Sequence, residues 1–414
     1  MLQSKYNIYS THLPTHRTMP GLFYCAIFIL FFLSGCASER QAVPENLSDS
    51  AQIIGIPPDS RAVWGQPNSV ITQDYCSSLK KDTKDCFSID DQGNKTYSVL
   101  LISSGAENGA FGSGLLKGWS QSGSRPVFKI VTGISTGAIM APFAFLGSAY
   151  DQKLEEIYTT HSTKDVYRSK IIPWDSLVKN WPLKRLIDKY FDKQVLREIA
   201  KEYDKGRRLY IGTTDLDTQQ LIVWNMGEIA SVGDGTALAI FRKIILASAS
   251  MPGAFPPVYF QAKANGKTYE EMDMDGGVTK QVFLPYNVLQ SFKKASENQP
   301  GMNIDPSKLR YKIYILLNTF SDPVWTQVPD KIISIVIRTI GTIIKAQSIG
   351  DVYQLYAFTK LGNGDFNLAC IPKGYIRHDK EFFDIVEMKR LFDLGFKEAS
   401  RGYHWKKTPT GDLE

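Results

Sequence analysis

Histidine is scarce in this chain: 414 residues include 5. Cysteine also numbers 5, and no group of His, Cys and acidic residues has the spacing of metal ligands. Nothing in the pattern therefore asks for a metal or a cofactor. Blocks of like charge are missing too. The 48 basic and 42 acidic residues leave a net charge of +6, spread along the chain. That argues against a nucleic-acid footprint and leaves a weak preference for anionic surfaces, with an ordinary solvated surface the better explanation. No G-x-G-x-x-G occurs, and no Lys-Ser/Thr follows the one glycine-rich loop, so a nucleotide binder is disfavoured. There is no internal repeat. The apolar run LFYCAIFILFFL, Leu22–Leu33, is too short to span a hydrocarbon core of ~30 Å.

That run sits in an informative context. Before it lie Lys5 and Arg17 and no acid, and after it comes SGCAS. A charged region, an apolar region and a small-residue cleavage zone make an export signal. Leu33-Ser34-Gly35-Cys36 resembles the bacterial lipobox, which implies lipidation of Cys36 as the first mature residue. An ordinary secretory signal and a short uncut anchor are the alternatives, and Met19 is a second plausible start. Removing residues 1–35 takes away two cations, leaving the mature chain at +4. The expected location is the cell envelope, on the periplasmic side or the outer surface.

Export implies an oxidising compartment. Cys76 and Cys86 are close in sequence, and a disulfide between them would contribute ~2–3 kcal/mol by closing a small loop. Two buried free thiols are the equal alternative, and Cys370 is left over.

The organisation reads as signal 1–35, tether 36–60 rich in Ser, Pro and acids, an N-terminal extension 61–96, a catalytic body 97–405 and a tail 406–414. In the body, the apolar stretch Tyr97–Ser103 reads as a strand, followed by a Gly-rich turn and a helix around Gly114–Ser120. Val127–Gly133 reads as a second strand and STGAIMAPFAFLGSAY as a helix. Strand, tight turn and helix, twice over, argue for an α/β fold with a parallel sheet covered on both faces. Further strands are expected in Arg208–Met226, in KTYEEMDM and in LRYKIYILLN, with a terminal amphipathic helix over 380–405. Lys331–Lys345 has the length of a helix and a β-branched bias. Core packing is preferred for it over an apolar patch that dips into a membrane.

TGISTGAIM places Ser135 between Gly133 and Gly137, directly after an apolar strand. A nucleophile elbow needs small neighbours, because the strained turn brings flanking positions against the following helix. The serine then sits at a helix N-terminus, which favours developing negative charge. The loop SSGAENGAFGSG, Ser103–Gly114, leaves the preceding strand and could aim amides at a tetrahedral oxygen. Asp275-Gly276-Gly277 follows the strand KTYEEMDM. By itself it reads better as an Asp-Gly turn than as a catalytic carboxylate.

Taken together and in order, ISSGAENGAFGSGLL, GISTG, ASASMPGAFPPV (Ala247–Val258) and DGG resemble the patatin-like phospholipase family, over about Tyr97 to Leu284. The resemblance implies a three-layer α/β sandwich with a mostly parallel central sheet and helices on both faces. It implies Ser135 as nucleophile and Asp275 as its partner in a Ser–Asp dyad, with Gly105 and Ala106 supplying oxyanion amides. The substrates it implies are membrane glycerolipids or lysolipids. The chain departs from the family loop G-G-G-x-R-G, reading Ser104-Gly105-Ala106-Glu107-Asn108-Gly109. Ala106 keeps a usable amide if its φ stays negative. Asn108 stands where a basic residue often sits, which points to less charged esters. A histidine-dependent triad drawing on His378 or His404 is the rival constellation. A catalytically silent envelope lipoprotein that binds lipid or protein in the same cleft is the rival function. Asp273 lacks the following Gly-Gly, and Asp215 and Asp217 suit a turn.

Overall fold

KTYSVLLI, Lys95–Ile102, forms a strand whose side chains enter two separate cores. Tyr97, Val99 and Leu101 face one, and Leu100 and Ile102 face the other. A strand apolar on both faces belongs inside a parallel sheet with both faces covered. The computed structural model describes residues 40–66, 70–166, 181–252, 254–285, 308–320, 325–362, 364–378 and 381–409, and the backbone of a two-residue ladder between Arg168–Ser169 and Val178–Lys179.

Numbered along the chain, the strands are β1 Gln52–Ile53, β2 Arg61–Val63, β3 Ser88–Ile89, β4 Lys95–Ile102, β5 Ile130–Gly133, β6 Arg168–Ser169, β7 Val178–Lys179, β8 Arg208–Asp215, β9 Gln220–Asn225, β10 Val258–Ala264, β11 Lys267–Asp275, β12 Leu309–Phe320 and β13 Asp365–Ile371. All but β6 and β7 join one 11-stranded sheet, whose main path runs β1-β10-β11-β8-β5-β4-β12-β13. Its centre, β13-β12-β4-β5-β8, is parallel. The rims, including β10, β11 and β9, are antiparallel. On one face pack the helices Gly109–Gln121, Thr136–Leu146, Gly235–Ser248 and Ile385–Ser400. On the other lie Val70–Ser78 and the second half of the long helix Ile332–Leu361, through Val352 and Leu355. This is the expected α/β sandwich with a mostly parallel centre.

Several boundaries differ from the sequence reading. The tether was expected to run to residue 60, yet Ala51 and Ile53 are buried and Gln52–Ile53 pairs with β10. From Ala42 onward the chain forms one compact unit, because these few apolar side chains cover the sheet edge. The extension contributes β2, β3 and a helix to the body. At the other end Lys406 pairs with Leu368, so the body reaches past residue 405. The signal segment and Cys36 lie outside the described residues.

The Cys76–Cys86 disulfide is not formed. Neither cysteine takes part in a disulfide, and both are buried. Cys86 turns its Sγ to the carbonyl of Lys205 at 3.2 Å, and Cys76 is held in the helix Val70–Ser78. The stretch Lys331–Lys345 is helical from Ile332 on, but none of its described side chains joins either core. Ile332, Ile335, Val336, Ile340 and Ile343 are exposed.

Candidate active site

Two features of the sequence set the turn after β5. Gly133 lies where an added Cβ would come within 2.3 Å of the Gly137 carbonyl, and at Gly137 it would lie 2.4 Å from the Ile102 carbonyl. Both contacts are to backbone, so neither can relax cheaply. Between them Ser135 takes φ 58° and ψ −121°, a strained region for any residue with a side chain. The helix Thr136–Leu146 starts at the next residue. The strain is held in place by hydrogen bonds. The Ser135 N–H donates to Ser248 Oγ at 3.0 Å, and the Ser248 hydroxyl donates to the Gly212 carbonyl at 2.7 Å.

The sheet register brings Asp275 to this turn. Gly133 of β5 pairs with Ile211 of β8. Two residues further, Thr213 of β8 pairs with Asp275 of β11. Ser135 therefore comes level with Asp275 about two strand spacings away, ~10 Å between backbones, which two inward side chains can bridge. The Ser135 side chain is near enough to the Asp275 carboxyl to pull its pKa down. Oδ1 of that carboxyl accepts the Gly277 N–H at 2.7 Å. Gly276 fits because a Cβ there would lie 2.5 Å from the Gly212 carbonyl. The Asp275 N–H donates to the Ser250 carbonyl at 3.1 Å. The stretch Ala247–Val258 thus has a job at both partners, through Ser248 and Ser250.

Burial dominates the electrostatics of this pair. Asp275 is 5% exposed. Loss of hydration pushes its pKa from 3.8 up to about 7, against the opposing pull of Ser135 and Gly277. No histidine figures among the groups acting on it. His378 and His404 are exposed, and His378 engages Glu387 through its backbone N–H. Asp273 is turned into a different cluster. It accepts from Thr213 Oγ1 at 2.5 Å, and burial, then Glu271, hold it well above the usual carboxylate range. Asp215 caps its own turn through the Asp217 N–H and Thr218.

The glycine-rich loop lies beside the elbow. A Cβ at Gly109 would touch Thr136 Oγ1 at 2.5 Å, and a Cβ at Gly105 would lie 2.3 Å from the Asn318 carbonyl. Asn318 at the end of β12 fixes the loop's entry, its N–H donating to Ser103 Oγ at 2.9 Å and its side-chain amide to the Ser103 carbonyl at 3.1 Å. The amides of Gly105 and Ala106 donate to no acceptor among the described residues, as an oxyanion cradle requires. The condition of a negative φ at Ala106 is not met: φ is +49°. Alanine here holds a conformation that glycine takes without penalty.

Two residues that sequence reasoning missed hold this arrangement. Gln281 accepts the Ser104 N–H at 3.0 Å and its side chain bridges Ser104 and the Gly277 carbonyl, tying the loop to the DGG turn. Arg377, 269 residues from Asn108, donates to Asn108 Oδ1 and to Glu107 Oε1, both at 2.8 Å. A cation thus reaches the loop from the C-terminal part of the chain, although position 108 carries none. No local pattern reports either contact.

Residues 100–286 match the family model for patatin-like phospholipase. No curated protein sequence matches the chain. Among solved structures it is similar to VipD from Legionella pneumophila, at 10% identity and a TM-score of 0.35, covering 77% of this chain and 70% of that one. The family match supports hydrolysis of lipid acyl esters in broad terms.

Proposed function

We propose that this chain, which carries a patatin-like phospholipase domain over residues 100–286, cleaves fatty-acyl esters of membrane lipids through an acyl-Ser135 intermediate, with Asp275 as the only base. What supports the reading is the strand register that brings Asp275 level with Ser135, together with burial that pushes the Asp275 pKa up to about 7. An aspartate at its ordinary value accepts a serine proton poorly, and one near neutrality is matched to the task.

In the first step Asp275 takes the Ser135 proton as Oγ bonds to the ester carbonyl carbon. The carbonyl electron pair moves onto oxygen, facing the amides of Gly105 and Ala106. The tetrahedral species then collapses. The C–O bond to the alcohol breaks, and the alkoxide leaves with the proton held on Asp275. Water repeats the sequence, losing its proton to Asp275 while its oxygen attacks the acyl carbon, and Ser135 recovers a proton as it departs. Alkoxides leave more easily than amide nitrogens, so esters fit this machinery better than peptides. Lipidation at Cys36 in the cell envelope would keep the site near glycerolipids or lysolipids and raise the effective substrate concentration.

A fluorophosphonate probe tests the assignment. Labelling of the full chain that disappears in Ser135→Ala, together with fatty acid release from phospholipid or lysophospholipid, supports the hydrolase. Folded protein that neither labels nor releases fatty acid would favour the silent binding protein. The left-handed Ala106 is the observation on that side.

A further inference from the structure

Outside the catalytic mouth, one feature has no role in the chemistry above: the first half of the helix Ile332–Leu361. The second half is anchored. Val352 and Leu355 are buried. Asp351 accepts from Lys280 Nζ at 2.9 Å and from the Gln281 N–H at 2.7 Å, and Gln347 reaches the Thr279 carbonyl. These contacts lie just past the DGG turn, so the helix leaves the body at the rim of the site. Toward its start, several apolar side chains face water. Ile332 is 81% exposed, Val336 48%, Ile340 50% and Ile343 61%, and Trp325, a few residues earlier, is 86% exposed.

The pattern around this helix is ordered. At about 100° per residue, Ile332, Val336, Ile340 and Ile343 share one arc. Lys331, Arg338 and Lys345 recur at every seventh position and form one stripe on the opposite side. No acidic residue lies between Asp330 and Asp351. An apolar arc backed by cations alone is the pattern of a helix lying in a lipid interface, and a tryptophan at its entrance suits the headgroup level. No helix among the described residues is long and apolar enough to cross a membrane. A second copy of this segment would bring no acid to pair with the stripe, whereas an anionic bilayer supplies phosphates along its whole surface.

We infer that Trp325–Lys345 docks the protein on an anionic lipid surface. Ile332, Val336, Ile340 and Ile343 enter the acyl boundary and Lys331, Arg338 and Lys345 meet headgroup phosphates, which holds the mouth at Ser135 against its substrate layer. The inference rests on the lipid-hydrolase reading for its purpose, but the binding step needs no turnover.

The test uses the full chain carrying Ser135→Ala, so that hydrolysis plays no part in the readout. Ile343→Cys is labelled with the environment-sensitive dye NBD; Cys76, Cys86 and Cys370 are buried. The chain without the added thiol, treated identically, is the blank. Vesicles are phosphatidylcholine alone or phosphatidylcholine with phosphatidylglycerol. The expected result is a blue-shifted, brighter emission on the anionic vesicles. Arg338→Glu/Lys345→Glu should weaken that partitioning by about tenfold or more. Ile332→Glu/Ile340→Glu should weaken it similarly. Two results overturn the inference. One is an unchanged signal while the chain sediments with vesicles, which assigns binding to the N-terminus. The other is a blue shift without vesicles that grows with protein concentration, which assigns the face to a second copy. Failure of the Ser135 chain to release fatty acid defeats the proposed activity and leaves this binding result standing.

Discussion

Asp275→Asn separates the cost of the raised carboxyl from its use. In the folded chain the pKa is about 7, against 3.8 for an ordinary aspartate. The sign follows from proton counting. Below about pH 3.8 the native and unfolded states both hold the proton, and the residue imposes no penalty. Between 3.8 and 7 the unfolded chain releases a proton that the native state keeps, so stability falls as pH rises. Above 7 the whole penalty is present. At 1.36 kcal/mol for each tenfold change in proton affinity, it comes to roughly 4 kcal/mol. Asp275 is 5% exposed, so solvent screens little of this. Asparagine carries no charge, and its carbonyl oxygen can still accept the Gly277 N–H. Urea unfolding of the two full chains from pH 4 to pH 8.5 measures the difference, in which every other titrating group cancels. The variant should match the parent near pH 4 and exceed it by a few kcal/mol at pH 8, while losing acyl hydrolysis. In the parent, kcat/KM should fall tenfold per pH unit below about 7 and level off above it. A stability difference that does not change with pH, or a variant weaker than the parent at pH 8, would refute the assignment of a strained, buried base.

Gly137→Ala should cost about 1–3 kcal/mol or more, because its Cβ meets the Ile102 and Ser103 carbonyls at 2.4 and 2.7 Å, and thermal unfolding together with loss of probe labelling reads it. Arg377→Ala should strip the buried Glu107 carboxylate of its cation at a cost of about 2 kcal/mol, lowering kcat more than KM as the oxyanion amides lose their support. Arg377→Lys should restore only part of that, since one ammonium does not match a fork that serves Glu107 and Asn108 together. His378→Ala should leave kcat/KM at the parent level, and a large loss there would instead revive a histidine-dependent triad.

The local patterns in the sequence were sufficient for the parts that depend on neighbours along the chain. GISTG required a tight strand-to-helix turn because only glycine avoids the carbonyls at 2.3 and 2.4 Å. The apolar run YSVLLI required a strand buried on both faces. Strands β10 and β13 are not legible in the sequence alone. VYFQAKA follows directly on a motif with Pro and Gly, and DFNLACI comes just after a long helix. The long helix was placed by its length, but its environment was misjudged. An isoleucine-rich stretch looks the same in sequence whether its partner is a core or something outside the chain, and the exposed first half belongs to the second case.

What the sequence determined by itself was the chemistry on offer: a serine on a strained turn, a carboxylate at a strand end, a loop of small residues between strand and helix, and no histidine in a fitting context. Tertiary structure decided whether these meet and in what state. The register of β5, β8 and β11 puts Asp275 level with Ser135, and burial raises the carboxyl pKa to about 7. Only the folded chain carries Arg377 across 269 positions to the oxyanion loop, and only there does Ala106 take its left-handed φ. Register, burial and distant ion pairs are sums over contacts between residues far apart in the chain, so no short stretch of the sequence encodes them.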